Sequence, residues 1–329
     1  VTTLTLQTAA SRPASRIGPS GHDDQAAGLR ALARMLGVAT HEGMRLGVPL
    51  LAVTSGKGGV GKTTLSVNLS IALTRLGMRT TLVDADLGMA NADVMCGLTP
   101  GRRLEHALGL NAAGHPTPPL DLRSLAVNAP GGFRLIPGSV GIAHMAELPE
   151  EERLRLLAAL IDLEHDSDVV VADTGAGIGP GVMAFLRAAT LVLVIATPDP
   201  ASITDAYALV KCLHARGTPR VALVVNQACN EDEAAAVHGR LAACCGRFLG
   251  TALPLVGWIP TDQRVHRSVR QRRPLLVSSR RSPAGRAMVA VAREVVMTIG
   301  NRPRPVRNPN VRVAVTDWLR SMGLFSSRA

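Results

Sequence analysis

Eight consecutive residues, Gly56-Lys57-Gly58-Gly59-Val60-Gly61-Lys62-Thr63, follow the spacing G-x-x-x-x-G-K-[ST]. These residue types suit a chain of phosphates. Glycines let successive backbone N–H groups converge on one anion. A helix starting near Lys62 adds the positive end of its dipole at the same point. Lys62 can reach the β- and γ-phosphates, and the Thr63 hydroxyl can ligate Mg²⁺. Thr64 follows directly. Lys57, inside the loop, is either a solvated surface lysine or a second cation for the phosphates, delivered to a partner subunit's nucleotide.

Carboxylates close two of the apolar runs. Asp84-Ala85-Asp86 follows Thr80–Val83. Carboxylates at i and i+2 on extended chain point to one side, toward the sheet edge where phosphates lie. One near Mg²⁺ and one near an attacking water is a workable division of labour; a turn capped by aspartates is the alternative. Asp173-Thr174-Gly175-Ala176-Gly177 closes a second run. There an Asp suits outer-sphere Mg²⁺ ligation, and the glycines allow a loop that responds to the γ-phosphate.

These groups need a scaffold that brings strand ends together. Leu50–Thr54, Thr80–Val83, Phe133–Ile136, Asp168–Ala172, Leu191–Ala196 and Val221–Val225 read as strands. Their consecutive apolar positions suit strands buried on both faces. Helical stretches reach to about 76, and lie over Glu150–Leu163 and at about 201–215 and 231–245. Strands alternating with helices predict a doubly wound α/β fold, a mostly parallel sheet with helices on both faces.

Composition agrees. Of 329 residues, 47 % are hydrophobic and 19 % charged, which excludes a largely disordered chain. Aromatics are 2 %, which argues against single-stranded nucleic-acid binding by base stacking. The five cysteines, Cys96, Cys212, Cys229, Cys244 and Cys245, form no C-x-x-C pair. A zinc site, a disulfide framework and an iron–sulfur carrier are therefore not suggested. No apolar run reaches the ~18 residues that would span a bilayer, and no basic-then-apolar leader pattern opens the sequence.

The ends read differently from the centre. Residues 1–22 have no hydrophobic period and read as a flexible tail. Over 23–37, Leu29, Leu32, Ala33 and Leu36 fall on one helical stripe between an Asp cap and Gly37. Residues 301–310 form a Pro/Arg linker. Beyond it, Val311, Val315, Trp318, Leu319, Met322 and Phe325 make one apolar stripe over 311–325, with Arg312 and Arg320 off its centre. Such a helix can lie in a lipid interface or dock on the protein's own surface.

Net charge is +11, and residues 264–312 alone carry thirteen Arg against one acid, Glu294. Arg264, Arg267 and Arg270 share one helix face. This is either a solvated basic face or a contact for anionic lipid or DNA phosphates.

Together these motifs resemble the MinD/ParA group of P-loop ATPases, whose loop reads K-G-G-x-G-K-[ST]. The resemblance covers about residues 50–300. It rests on Lys57–Thr64, Asp84–Asn91, Asp173–Gly177, Thr197–Tyr207, Asn226 and Ile259-Pro260-Thr261-Asp262. Within the group it is nearest the flagellar-number regulators called FlhG, FleN or YlxH. Asp24-Gln25-Ala26-Ala27-Gly28-Leu29-Arg30 matches their D-Q-A-x-x-L-R motif, and the C-terminal stripe falls where they carry a membrane helix.

The resemblance implies slow hydrolysis of ATP with Mg²⁺ in a homodimer. Lys57 would cross the dimer interface, and Lys62 and Thr63 would keep their P-loop roles. Asp86 would position the water, Asp84 would lie near the Mg²⁺ shell and Asp173 would be the switch aspartate. Asn226 would read adenine, with Pro260 and Asp262 over the base. Implied partners are an FlhF-like GTPase whose site Gln25 completes, a flagellar C-ring component, a flagellar transcription activator and anionic lipids of the inner membrane. The implied place is the bacterial cytoplasm and the inner face of its membrane. A DNA-partitioning ATPase is the alternative.

Overall fold

The computed structural model describes residues 48–216 and 220–300. The expected tail, the 23–37 and 311–325 helices and the linker lie outside the described residues. The strands are β1 (Leu50–Ser55), β2 (Thr80–Ala85), β3 (Val127–Asn128), β4 (Arg134–Ile136), β5 (Val169–Ala176), β6 (Leu191–Ala196), β7 (Arg220–Ala228) and β8 (Leu255–Pro260). They form one sheet in the order β3-β4-β2-β5-β1-β6-β7-β8. Every neighbouring pair is parallel except β3 with β4. The doubly wound, mostly parallel fold expected from the sequence is therefore the one observed.

The longer helices are α1 (Lys62–Arg75), α2 (Glu150–Ala159), α3 (Pro180–Ala188), α4 (Pro200–His214), α5 (Glu231–Leu249), α6 (Gln263–Arg270) and α7 (Pro283–Ile299). They cover both faces because side chains on a strand alternate. Leu50 and Ala52 of β1 share one apolar core with Phe185 of α3, Leu209 of α4 and Leu241 of α5. Leu51 and Val53 pack on the other face with Leu65 and Leu69 of α1 and Met288 and Val291 of α7.

Helix α1 is buried from Leu65 to Leu73 between the sheet and α7. Its buried polar groups are paired, as burial demands. Asn68 donates to Thr64 O at 2.7 Å and accepts the Leu276 N–H at 2.8 Å. Ser70 donates to Ser66 O at 2.8 Å.

Some boundaries depart from the sequence reading. The helix expected over Glu150–Leu163 stops at Ala159 and tightens into 3₁₀ turns over Leu160–His165. Strand β4 starts at Arg134 rather than Phe133. Strands β3 and β8 and helices α3 and α7 were not expected. Helix α3 starts with Pro180 at its first position, where a missing N–H costs nothing.

Candidate functional site

Strand β1 lies between β5 and β6, and its sequence successor β2 lies beyond β5. The chain thus leaves β1 where the winding reverses, and a crevice opens at the carboxyl ends of the strands. The loop Gly56–Gly61 fills that position. Gly61 has φ 92° and Gly59 φ 78°, left-handed values that a side chain resists. A Cβ at Gly58 or Gly59 would meet nothing within 4 Å, so the loop is open on its outer side. A Cβ at Gly56 would come within 2.3 Å of the Asp205 backbone in α4. The loop is therefore seated directly on α4.

The expected site residues meet at this edge. Lys62 opens α1. Burial lowers its pKa, while Asp173 and Asp86 pull it back up. Asp173, near the end of β5, is buried, and Ser66 Oγ lies 2.8 Å from its Oδ1. Burial pushes the Asp173 carboxyl up to about 6, against hydrogen bonds from Thr63 and Ser66 and the charge of Lys62. Asp84 pairs in register with Asp173 across β2 and β5. Burial first, and the Asp173 charge second, push it up to about 8.

The two carboxylates of Asp84-Ala85-Asp86 do not share one environment. Asp84 Oδ2 accepts the N–H groups of Asn91 and Ala92, both at 2.8 Å. It folds the chain back after β2, and no face of it is exposed. Asp86, beyond the strand, is half-buried and accepts the Met89 N–H at 3.2 Å. A Cβ at Gly175 would lie 3.5 Å from Asp86 Oδ1, so the bare Gly175 backbone faces this carboxylate. Asp86 is the accessible carboxylate of the pair.

Lys57 does not stand free. Its Nζ lies 2.6 Å from Asp199 Oδ2, with both side chains nearly half exposed. Asp199 also accepts the Ala201 N–H at the start of α4. The ion pair raises the Lys57 pKa and lowers that of Asp199.

Asn226, near the end of β7, donates to Val60 O at 2.8 Å and so braces the phosphate loop. One amide N–H and the amide oxygen are left over for a base. Asp262 caps α6 through the Arg264 N–H at 2.9 Å and also accepts the Ala284 N–H at 3.3 Å. It joins two helix starts beside Pro260, the last residue of β8. Sequence reasoning missed two contributors. Ser66 could have been found one helical turn after Lys62 on α1. Asp199 sits in a motif that drew attention without revealing its partner.

The donors fit a magnesium ion. The Thr63 hydroxyl and the Asp173 carboxylate are hard oxygen donors, and they lie beside each other at the loop. No cluster of three His, Cys, Asp or Glu able to cage a metal exists among the described residues. A magnesium that shares its shell with phosphates and water needs no such cage.

Comparison with known proteins agrees with this geometry. Residues 51–275 match the CobQ/CobB/MinD/ParA nucleotide binding domain. The chain is 42 % identical over 249 residues to the antiactivator FleN of Pseudomonas aeruginosa, covering 75 % of this chain and 86 % of FleN. It is 34 % identical over 226 residues to the flagellum site-determining protein YlxH of Helicobacter pylori, covering 68 % and 74 %. The septum site-determining protein MinD of Pyrococcus horikoshii, solved with Mg-ADP, superposes with a TM-score of 0.64. That match covers 77 % of this chain and 98 % of MinD, and at 21 % identity it speaks to the fold. With fold, loop and most of the sequence in accord, the chain belongs to the CobQ/CobB/MinD/ParA nucleotide-binding family, as an ATPase of the MinD/ParA type.

Proposed function

We propose that this ATPase is a nucleotide-driven switch that sets flagellar number or placement. The observation that carries this reading is the convergence of Lys62, Thr63, Asp86 and Asp173 on one loop whose outer rim carries Lys57. The similarity to YlxH, named a flagellum site-determining protein, supports the biological setting.

In this reading the loop N–H groups and Lys62 hold the β- and γ-phosphates of ATP. Thr63, with Asp173 behind it, holds Mg²⁺, which neutralises charge on the phosphates. Asp84 acts from behind Asp173 and keeps the Asp86 loop folded. Asp86 orients the attacking water. Lys57 leaves Asp199 and reaches the nucleotide of a second copy. Asn226, Pro260 and Asp262 form the base side of the crevice. Little covalent chemistry is required, since placement and charge neutralisation supply most of the catalysis.

The switch would be read out at the ends of the chain. In the dimer, two copies of Val315, Trp318, Leu319, Met322 and Phe325 would enter anionic lipid together. One such helix binds weakly, and two add avidity, so membrane residence would follow the nucleotide. The stretch with Asp24, Gln25, Leu29 and Arg30 would dock on an FlhF-like GTPase. A C-ring component and a flagellar transcription activator would be further partners.

Co-sedimentation of the full chain with anionic liposomes tests this reading. Binding with ATP and release with ADP are expected, and Leu319→Glu should abolish binding. Equal binding in both nucleotide states would contradict the switch.

A second reading has its own observation. Arg264, Arg267, Arg270, Arg272, Arg273, Arg280 and Arg281 are all exposed. A DNA-partitioning ATPase would use them on phosphates. ATP-dependent DNA binding that collapses with added salt, without lipid affinity, would favour it.

A further inference from the structure

A buried polar cluster outside the phosphate loop joins three stretches of chain. Asp93, in the short helix Ala92–Met95, is 2 % exposed. Its Oδ2 accepts Arg103 Nη2 at 2.6 Å. The same guanidinium donates through Nη1 to Gly138 O at 3.1 Å. Gly138 presses on the chain that carries the catalytic carboxylate. A Cβ there would lie 2.4 Å from Asp84 O and 2.5 Å from Ala90 Cβ. The next residue, Ser139, accepts the Ala90 N–H at 3.4 Å, and Val140 bridges to Met89.

These contacts bracket residues 86–92. Asp84, just before the loop, ties its last two residues, Asn91 and Ala92, back to the end of β2. Arg103 holds the next residue, Asp93, and, through Gly138, the segment on which the loop rests. Asp86 lies between these ties, and Met89, whose N–H it accepts, is the residue paired with Val140. A guanidinium can hold two acceptors in one fixed plane, whereas an ammonium on a flexible stem cannot. A reacting group displaced by ~1 Å can lose ~100-fold in rate.

We propose that Arg103 is a positioning residue for ATP hydrolysis. By tying Asp93 to Gly138 it fixes the 86–92 loop and so aims Asp86 at the attacking water. This inference rests on the role given to Asp86 under the proposed function.

The variant Arg103→Lys in the full chain carries the test. It keeps a charge for Asp93 and gives up the fork to Gly138. Three quantities are read: ATP affinity by titration calorimetry, turnover at saturating Mg-ATP, and amide hydrogen exchange. Turnover should fall at least tenfold while affinity stays within twofold. Exchange should rise over 86–92 and stay unchanged over 57–63. Unchanged turnover, a parallel loss of affinity and turnover, or a turnover loss without faster exchange at 86–92 would each overturn the proposal. Should Arg103→Lys fail to fold, Asp93→Asn is judged by the same criteria. If the parent chain binds ATP without hydrolysing it, the functional reading fails as well. If the parent hydrolyses ATP and Arg103→Lys matches it, this inference alone fails.

Discussion

The Lys57 ammonium lies 2.6 Å from Asp199 Oδ2 of its own chain, across 142 residues of sequence. The lysine proposed to reach a second subunit's nucleotide is thus held at home by the residue that caps α4. The pair is exposed, so the hold is weak and competes with phosphate rather than forbidding it. Asp199→Asn keeps an N-cap side chain and removes the charge. It should tighten ATP-dependent dimerisation, by up to about fivefold for the exposed pair freed in each subunit. Lys57→Ala should still bind nucleotide and stay monomeric. Light scattering on a sizing column, with and without Mg-ATP, measures both.

Asp84 and Asp173 make nucleotide-free stability depend on pH. Burial raises both carboxyls above the unfolded value near 3.8. Between about pH 4 and pH 8 the folded chain therefore holds protons that the unfolded chain has released. Stability from this pair is full at the acid end of that window and is lost as pH rises through the folded values. Thermal unfolding should occur at lower temperature at pH 8.5 than at pH 5.5. Asp84→Asn should flatten that difference.

Two glycines should tolerate nothing larger. Gly56→Ala drives a methyl into the Asp205 backbone, and Gly61→Ala sets a methyl 2.5 Å from Asn226 Nδ2 at φ 92°. Each should cost about 2–4 kcal/mol in denaturant unfolding and weaken ATP binding. Gly58→Ala, with open space around it, should leave stability unchanged within about 0.5 kcal/mol.

Much of this was legible in the sequence because the signals were local. The phosphate loop is contiguous, and the central strands are continuous apolar runs. What was missed depended on distance or on mixed signals. Strand β8, Leu-Val-Gly-Trp-Ile-Pro, is interrupted by Gly257 and ends in Pro260, so it lacks the run that marked β6. Helix α3 starts in Gly179-Pro180-Gly181, which reads as a turn, although proline suits a first helical position. By spacing alone, Asp84 and Asp86 are neighbours on one side of a strand. The chain turns at once after β2 because Asp84 collects the N–H groups of Asn91 and Ala92. Residue spacing cannot show that bond, nor the bonds from Lys57 to Asp199 and from Asn226 to Val60.

Asp86→Ala separates binding from hydrolysis. The substitution removes a half-buried side chain that braces the Met89 N–H and leaves the phosphate loop intact. ATP should bind within about threefold of the parent and support dimerisation. Phosphate release should fall by at least about 100-fold, as for loss of a water-orienting group. A variant that stays monomeric with ATP would remove Asp86 from the role assigned to it.

Calorimetric titration of Mg-ATP into the full chain, beside Lys62→Ala, reaches the centre of the account. One site per chain with clear heat of association is predicted for the parent, and none for the variant at the same concentrations. A parent chain that gives no heat, or a Lys62→Ala chain that binds equally well, would contradict it.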